Sequence, residues 1–235
     1  MNFKDQGLII YIKKINENNL LIKLLSKNNG LLIGIVYGGN SKKNKLVYQI
    51  GNFINFNFLK KNENSIGSLN AELSDPLLSD FFDDRYKLLL ILTCCALINI
   101  SVNENQKYKK IYDNSFNLFL ALYNKHWFHE FSLWVINFLS ELGYGFDWNQ
   151  IKLKNKYIYL KNLEFIDKKD SNKFDNNYIE FPYELILNKI VSYQQCKLLF
   201  KIFEYIMNNH LLNNSQKKIP RIYFEFKNVI LKSLG

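Results

Sequence analysis

The N-terminal third of the chain is organised by a short period. Apolar runs of seven to nine residues, rich in Ile, Leu, Val, Tyr and Phe, alternate with clusters of Asn and Gly, the punctuation of β-strands joined by turns. Gly7–Lys14 is followed by Asn16-Glu17-Asn18-Asn19, Leu20–Ser26 by Lys27-Asn28-Asn29-Gly30, and Leu31–Tyr37 by a longer polar loop. In the fourth run, Asn52–Lys60, the residues Phe53, Asn55, Asn57 and Leu59 alternate with Ile54, Phe56, Phe58 and Lys60; the turn Asn62-Glu63-Asn64-Ser65 then leads to Ile66–Leu73. Five short strands with no helix of ordinary length predict a small, closed or partly open barrel of the OB type, because closure removes exposed strand edges.

The texture changes at Pro76 and the acidic stretch Asp80, Asp83, Asp84. Leu77–Ile100, Tyr108–Asn124 and His126–Leu142 repeat apolar residues at three- and four-residue spacing, and the last stops at Gly143, a residue suited to a left-handed C-cap. Val191–Leu212 and Pro220–Leu234 are helical by the same pattern, with Pro220 suited to a first turn. The polar stretch 151–181, with pieces such as Tyr157-Ile158-Tyr159-Leu160, predicts a small sheet or a long loop. The fold class is therefore α+β: an OB barrel over 1–75, then a mainly helical domain over 76–235 with an irregular or β insert near 151–181.

Charge adds a partner class to this outline. The chain carries 31 Lys and Arg against 21 Asp and Glu, a net charge of +10, which favours a polyanion. Part of the excess is compositional, since the chain is crowded with Lys, Asn and Ile and has only two Arg, Arg85 and Arg221. Its placement is more informative. Residues 1–73 hold ten Lys and four acids, while the remainder is nearly balanced. Cys94, Cys95 and Cys196 form neither an even set nor a metal-binding spacing, so no disulfide framework and no cofactor is expected. The start, Met-Asn-Phe-Lys-Asp, has no apolar signal region, and the longest apolar run, Leu88–Ile100, falls short of the roughly 20 residues of a membrane span. The expected location is the cytoplasm, and Leu88–Ile100 is expected as a buried helix.

The basic excess meets unusual chemistry in the loop Tyr37-Gly38-Gly39-Asn40-Ser41-Lys42-Lys43-Asn44-Lys45. Paired glycines permit unusual backbone angles and close approach of another backbone; Asn40 and Ser41 offer neutral donors; Lys42, Lys43 and Lys45 can replace counterions on phosphates. Taken alone, such a segment also suits an ordinary solvated loop. OB barrels that hold single strands add aromatic faces for base stacking, and Phe3, Tyr11, Tyr37, Tyr48, Phe53, Phe56 and Phe58 are available. Most must fill so small a barrel, which leaves Tyr37 and Tyr48, flanking the loop, as the stacking candidates. Lys13 and Lys60 are secondary candidates, because each has a lysine neighbour that a strand directs to the opposite face.

The order G-L-I-I-Y-I-K-K, then Asn28-Asn29-Gly30, then V-Y-G-G-N-S-K-K ahead of Gln49-Ile50-Gly51-Asn52, resembles the N-terminal OB domain of the RecO family. A second segment, Leu139-Ser140-Glu141-Leu142-Gly143-Tyr144-Gly145-Phe146-Asp147, is similar to that family's E-L-G-[FY]-G-x-D motif. The resemblance extends over roughly residues 3–150. It implies a non-enzymatic recombination mediator that binds single- and double-stranded DNA, anneals strands, and helps load recombinase on DNA coated with single-strand-binding protein. Its implied partners are RecR and the acidic tail of that coating protein. Some members carry a cysteine-ligated zinc in the region corresponding to Lys152–Tyr178, where this chain has no Cys, and the family's loop typically has arginines where Lys42 and Lys43 stand.

Two other function classes remain open. One is an OB-type RNA-binding protein of tRNA or ribosome handling. The other is a metal-dependent nuclease using Asp80, Asp83 and Asp84, although acids at the start of a helix are also what its dipole favours. His126, His129 and Glu130 have the spacing of a metal face, but the helix around them, with Trp127, Phe128, Phe131 and Trp134, reads as an aromatic core helix with histidine at its edge.

Overall fold

Strands β1 (Asn2–Lys14), β2 (Leu20–Ser26), β3 (Gly30–Val36), β4 (Phe53–Leu59) and β5 (Gly67–Asp75) close into a barrel in the order β1-β2-β3-β5-β4. This is the OB arrangement expected from the strand pattern. A path of paired residues from Lys13 passes Leu21, Ile35, Ser68 and Leu59 and re-enters β1 at Asn2. The return lies eleven residues back along β1, with the bulge residue Ile10 among them. So large an offset tilts the strands steeply and makes β1 serve both halves of the barrel. The computed structural model describes residues 1–62, 65–104, 106–147, 157–166, 177–213 and 215–235. The middle of the 62–65 turn and most of the 151–181 insert lie outside these residues.

Inside the barrel, Ile9, Leu20, Ile22, Leu24, Val36, Tyr48, Ile54, Phe56, Phe58 and Leu69 form the core. Its seam is the parallel contact of β3 with β5, which consists of Gly34↔Gly67 and Ile35↔Ser68. A Cβ on Gly67 would stand 2.2 Å from Phe58 Cζ, and one on Gly34 3.3 Å from Phe58 Cε2. The Phe58 ring therefore fills the space that side chains at the seam would need. Beyond Ser68 the inner edge of β5 has no β3 partner, and Tyr48 takes that place: its hydroxyl accepts from Ala71 N at 3.0 Å and donates to Ala71 O at 3.5 Å.

Asp5 holds the far end of the barrel. Its carboxylate accepts hydrogen bonds from Ser26 Oγ, from Gln6 N at 2.9 Å, from Asn28 N and Nδ2 at 3.0 and 2.8 Å, and from Asn29 Nδ2 at 2.8 Å. Partial burial pushes this carboxyl upward, but the donors outweigh it and hold the group below the ordinary 3.8. The turn so clamped ends at Gly30, whose φ is +76° and whose Cβ would lie 1.9 Å from Gln106 O, so no other residue fits there.

By its contacts the chain forms two units, Met1–Phe119 with Pro220–Phe226, and Leu120–Ile219 with Lys227–Gly235. In the first, the helix expected from Leu77 begins only at Arg85. After Pro76 come a turn and one 3₁₀ turn, Ser79–Phe81, and then Asp84 accepts from Tyr86 N and Lys87 N and caps α1 (Arg85–Ser101). That helix is buried as expected: Cys94 and Cys95 are fully buried, and burial pushes both thiols upward. Helix α2 (Lys109–Ala121) sets Tyr112, Phe116 and Phe119 edge-on around Phe53, 5.0 to 5.6 Å between centroids. In the second unit, α3 (Trp127–Glu141) stacks Trp134 on Phe138 at 4.8 Å and ends at Gly143, φ +93°. Strands β6 (Tyr157–Tyr159), β7 (Glu164–Ile166) and β8 (Tyr178–Glu180) make a small sheet, α4 (Tyr183–Ile186) is a single turn, and α5 (Tyr193–Ile206) is capped by Ser192 and runs into a π-helical turn, Met207–Leu211. Helix α6 (Arg221–Leu234) follows Pro220.

Two outcomes test this account. Tyr48→Phe leaves Ala71 N without its partner and is expected to lower unfolding free energy by about 1–3 kcal/mol in chemical denaturation; no loss would show that the hydroxyl does not serve the strand edge. Because the folded carboxyl of Asp5 is held below its unfolded value, it stabilises the fold above that value, and the contribution disappears as pH falls through the lower folded one. The thermal midpoint of Asp5→Ala should therefore lie below wild type at neutral pH, and the gap should narrow only as the pH falls below 3.8 and through the lower folded value.

Candidate nucleic-acid interface

The basic loop is built onto the neighbouring β1–β2 turn by asparagines. In that turn Asn16 Oδ1 accepts from Asn18 N and Asn19 N at 3.1 and 2.8 Å. Asn19 Oδ1 then accepts from Gly38 N at 3.1 Å, Asn40 N donates to Asn18 O at 3.1 Å, and Asn40 Nδ2 donates to Glu17 O at 2.8 Å. Asn40, expected to offer donors to a ligand, instead ties the two loops together. Further along, Asn44 Nδ2 donates to Gly38 O at 3.1 Å, and the buried Asn52 donates from Nδ2 to Leu46 O at 2.8 Å and Val47 O at 3.0 Å.

The glycines serve two different ends. Gly38 has φ +67° with open space around its Cβ position, so the backbone angle alone requires it. Gly39 is buried, and a Cβ there would press on Val36 Cγ1 at 2.8 Å and Leu20 Cδ1 at 3.0 Å. The close approach expected for a foreign backbone is thus made to the barrel's own core.

On this frame Ser41, Lys42, Lys43 and Lys45 are exposed, and none of the three lysines is held in an ion pair among the described residues. Lys13, also exposed, is the penultimate residue of β1, next to the same turn. Lys60 is elsewhere: its backbone exchanges hydrogen bonds with Met1, at the opposite end of β1. Tyr37 is 69 % exposed. Tyr48 is the clear correction, because it is 5 % exposed inside the barrel and its hydroxyl is engaged by Ala71, so it offers no stacking face. Phe56 and Phe58 are core residues, Phe3 packs against them, and Phe53 is sealed by α2. Besides Tyr37, Tyr11 faces outward, with Lys23 Nζ 5.7 Å above its ring. Register explains this: Tyr11 pairs with Lys23, and Lys23 with Ile33, in a row on the outer face, the bulge at Ile10 having shifted the alternation.

The other constellations have local explanations. Asp84 caps α1 and is paired with Lys87 at 3.1 Å. His129 is buried, not at an edge; its Nε2 lies 3.1 Å from Ile186 O and its Nδ1 3.3 Å from Glu130 Oε1. Among the described residues no group of three His, Cys, Asp or Glu is placed to hold a metal, and no helix is long and apolar enough to cross a membrane.

Comparison with known proteins gives this geometry a family. The profile for the N-terminal part of recombination protein O matches residues 1–77, and the profile for its C-terminal part matches residues 83–151. The chain belongs to the RecO family. Its bacterial relatives include the DNA repair protein RecO of Wolbachia pipientis subsp. Culex pipiens (strain wPip), 27% identical over 94% of this chain and 96% of that protein. Those of Wolbachia pipientis wMel, 26% identical over 98% and 99%, and Rickettsia bellii (strain OSU 85-389), 24% identical over 96% of each, are similar along nearly their whole length. Likeness therefore continues past the two profiles, through the region where the motifs of the sequence were silent.

Removing the asparagine ties should loosen this RecO-family loop without unfolding the barrel. Asn19→Ala with Asn40→Ala is expected to speed amide exchange over 38–45 while lowering global stability by only about 1–2 kcal/mol. Hydrogen–deuterium exchange read by mass spectrometry checks this, and unchanged protection in the loop would contradict it.

Proposed function

We propose that this chain is a DNA repair and recombination mediator whose OB barrel grips the phosphate backbone of single- and double-stranded DNA. The observation that carries the reading is the set of exposed lysines, Lys42, Lys43 and Lys45, on a loop pinned to the β1–β2 turn, with Lys13 beside it. Such a loop presents several cations in a fixed arrangement, and each phosphate it neutralises releases a counterion. Lysine meets phosphate as a point charge and lacks the planar fork of arginine, so the grip is salt-sensitive and blind to sequence. The names of the relatives, DNA repair protein RecO, support a repair role, and the reading places that role in the cytoplasm. In this reading the chain breaks no bond. It anneals complementary strands and, with RecR and the acidic tail of single-strand-binding protein, assists loading of recombinase onto coated DNA.

A filter-binding or anisotropy titration decides the point. Lys42→Ala with Lys43→Ala should weaken binding to all DNA sequences and flatten the log affinity against log salt by about 0.7–0.9 per lost phosphate contact. An unchanged slope would place the binding face elsewhere. Competition among single-stranded DNA, duplex DNA and structured RNA completes the test, and a strong preference for RNA would overturn the repair assignment in favour of an RNA-binding role.

A further inference from the structure

The basic loop also displays an apolar side chain that packing does not require. Leu46 is 68 % exposed immediately after Lys45, while its neighbours Val47 and Tyr48 turn into the barrel core. This direction is enforced by the backbone. Asn52, itself 3 % exposed, donates to the carbonyls of both Leu46 and Val47. From the other side, Val47 N and Tyr48 N donate to Asn44 O at 3.0 and 3.2 Å. With Val47 anchored inward and the peptide groups on either side fixed, a side chain at position 46 can only project into solvent.

The other flank of the lysine run carries Tyr37, exposed to a similar degree. The loop thus combines exposed cations with two large apolar side chains held away from the core. Phosphate alone has no use for the apolar part. Intact duplex keeps its base faces stacked inside and presents mainly charge, whereas a strand with unpaired bases offers both phosphates and apolar base faces.

We infer that Leu46, together with Tyr37, is the base-contacting tip of the loop, and that it makes this site favour unpaired bases over closed duplex. The inference rests on the reading of the loop as a DNA interface. Lysines supply the salt-dependent, strand-indifferent part of binding; the apolar tip supplies a salt-independent part that only unstacked bases can receive. Leu46 is therefore a specificity-determining residue, separable from the cations beside it.

The test uses the full chain, a mixed-sequence single-stranded oligonucleotide, and a covalently closed circular duplex without loops or ends, each titrated over a series of salt concentrations. Leu46→Ser is expected to weaken single-strand binding about five- to tenfold, to leave duplex affinity within about twofold, and to leave the salt slope unchanged. Leu46→Phe should retain or strengthen single-strand binding, and both variants should unfold at the wild-type temperature because position 46 is exposed. Equal losses on the two probes, no loss on either, or an altered salt slope would overturn the assignment. Lys42→Ala with Lys43→Ala in the same series keeps the two readings apart: if its slope stays at the wild-type value, the DNA interface itself is misplaced. An apolar tip beside cations also suits an anionic lipid surface, so vesicles containing phosphatidylserine form the last arm. Vesicle binding that Leu46→Ser abolishes would overturn the base-contact role, and its absence supports it.

Discussion

The barrel depends on a seam with almost no backbone in it. Where β3 meets β5, two residue pairs close the cylinder, and both strands reach the contact with glycine because the ring of Phe58 already occupies the space. A parallel contact this short cannot by itself satisfy the edge of β5. Tyr48 completes it by bonding Ala71 from the side-chain direction, so a residue outside the strands does the work of a missing strand pair. Asn52 and Asn44 hold the chain just before and at Tyr48, through Val47 O and Tyr48 N, and its ring packs in the core. The geometry of the basic loop and the closure of the barrel are consequently one problem, since the segment carrying the exposed lysines ends in the residue that plugs the seam.

That linkage explains how a loop of such polar composition holds its form. Long loops ordinarily carry unpaired peptide groups into water and move accordingly. Here turn-type backbone bonds such as Lys45 N to Ser41 O at 2.9 Å and Tyr48 N to Asn44 O at 3.2 Å run through the loop, and the carboxamides of Asn16, Asn19, Asn40, Asn44 and Asn52 add bonds to backbone groups of the β1–β2 turn and of the loop itself. The lysines need no such restraint. Their charge acts through water over a Debye length, so a pinned backbone is enough to fix where the positive charge of Lys42, Lys43 and Lys45 sits.

Asparagine is abundant along the whole chain, and composition alone does not separate the structural positions from the rest. At these five positions, and at Asn28 and Asn29 where the Asp5 carboxylate is saturated with donors, it is structural. Only partners in space single these positions out. Lysine shows the same division: Lys42, Lys43, Lys45 and Lys13 gather around one turn, while Lys60 stands at the other end of β1.

Much of the architecture was legible from order alone. Alternating apolar positions and Asn-Gly punctuation depend on local backbone preference, which is why five strands, their barrel, the helices beyond Pro76 and the cap-forming Gly143 follow from the residues in sequence. The basic loop was visible for the same reason, since charge and glycine need no partner to be noticed. What the third dimension decided was direction. A single bulge at Ile10 shifts the alternation of β1 and turns Tyr11 outward; the seam turns Tyr48 inward; the reach of Asn40 to Glu17 converts an expected ligand donor into a strut. Each of these depends on contacts between residues distant along the chain, and a linear pattern records only the spacing of side chains, not which of them the closing of a barrel will leave outside.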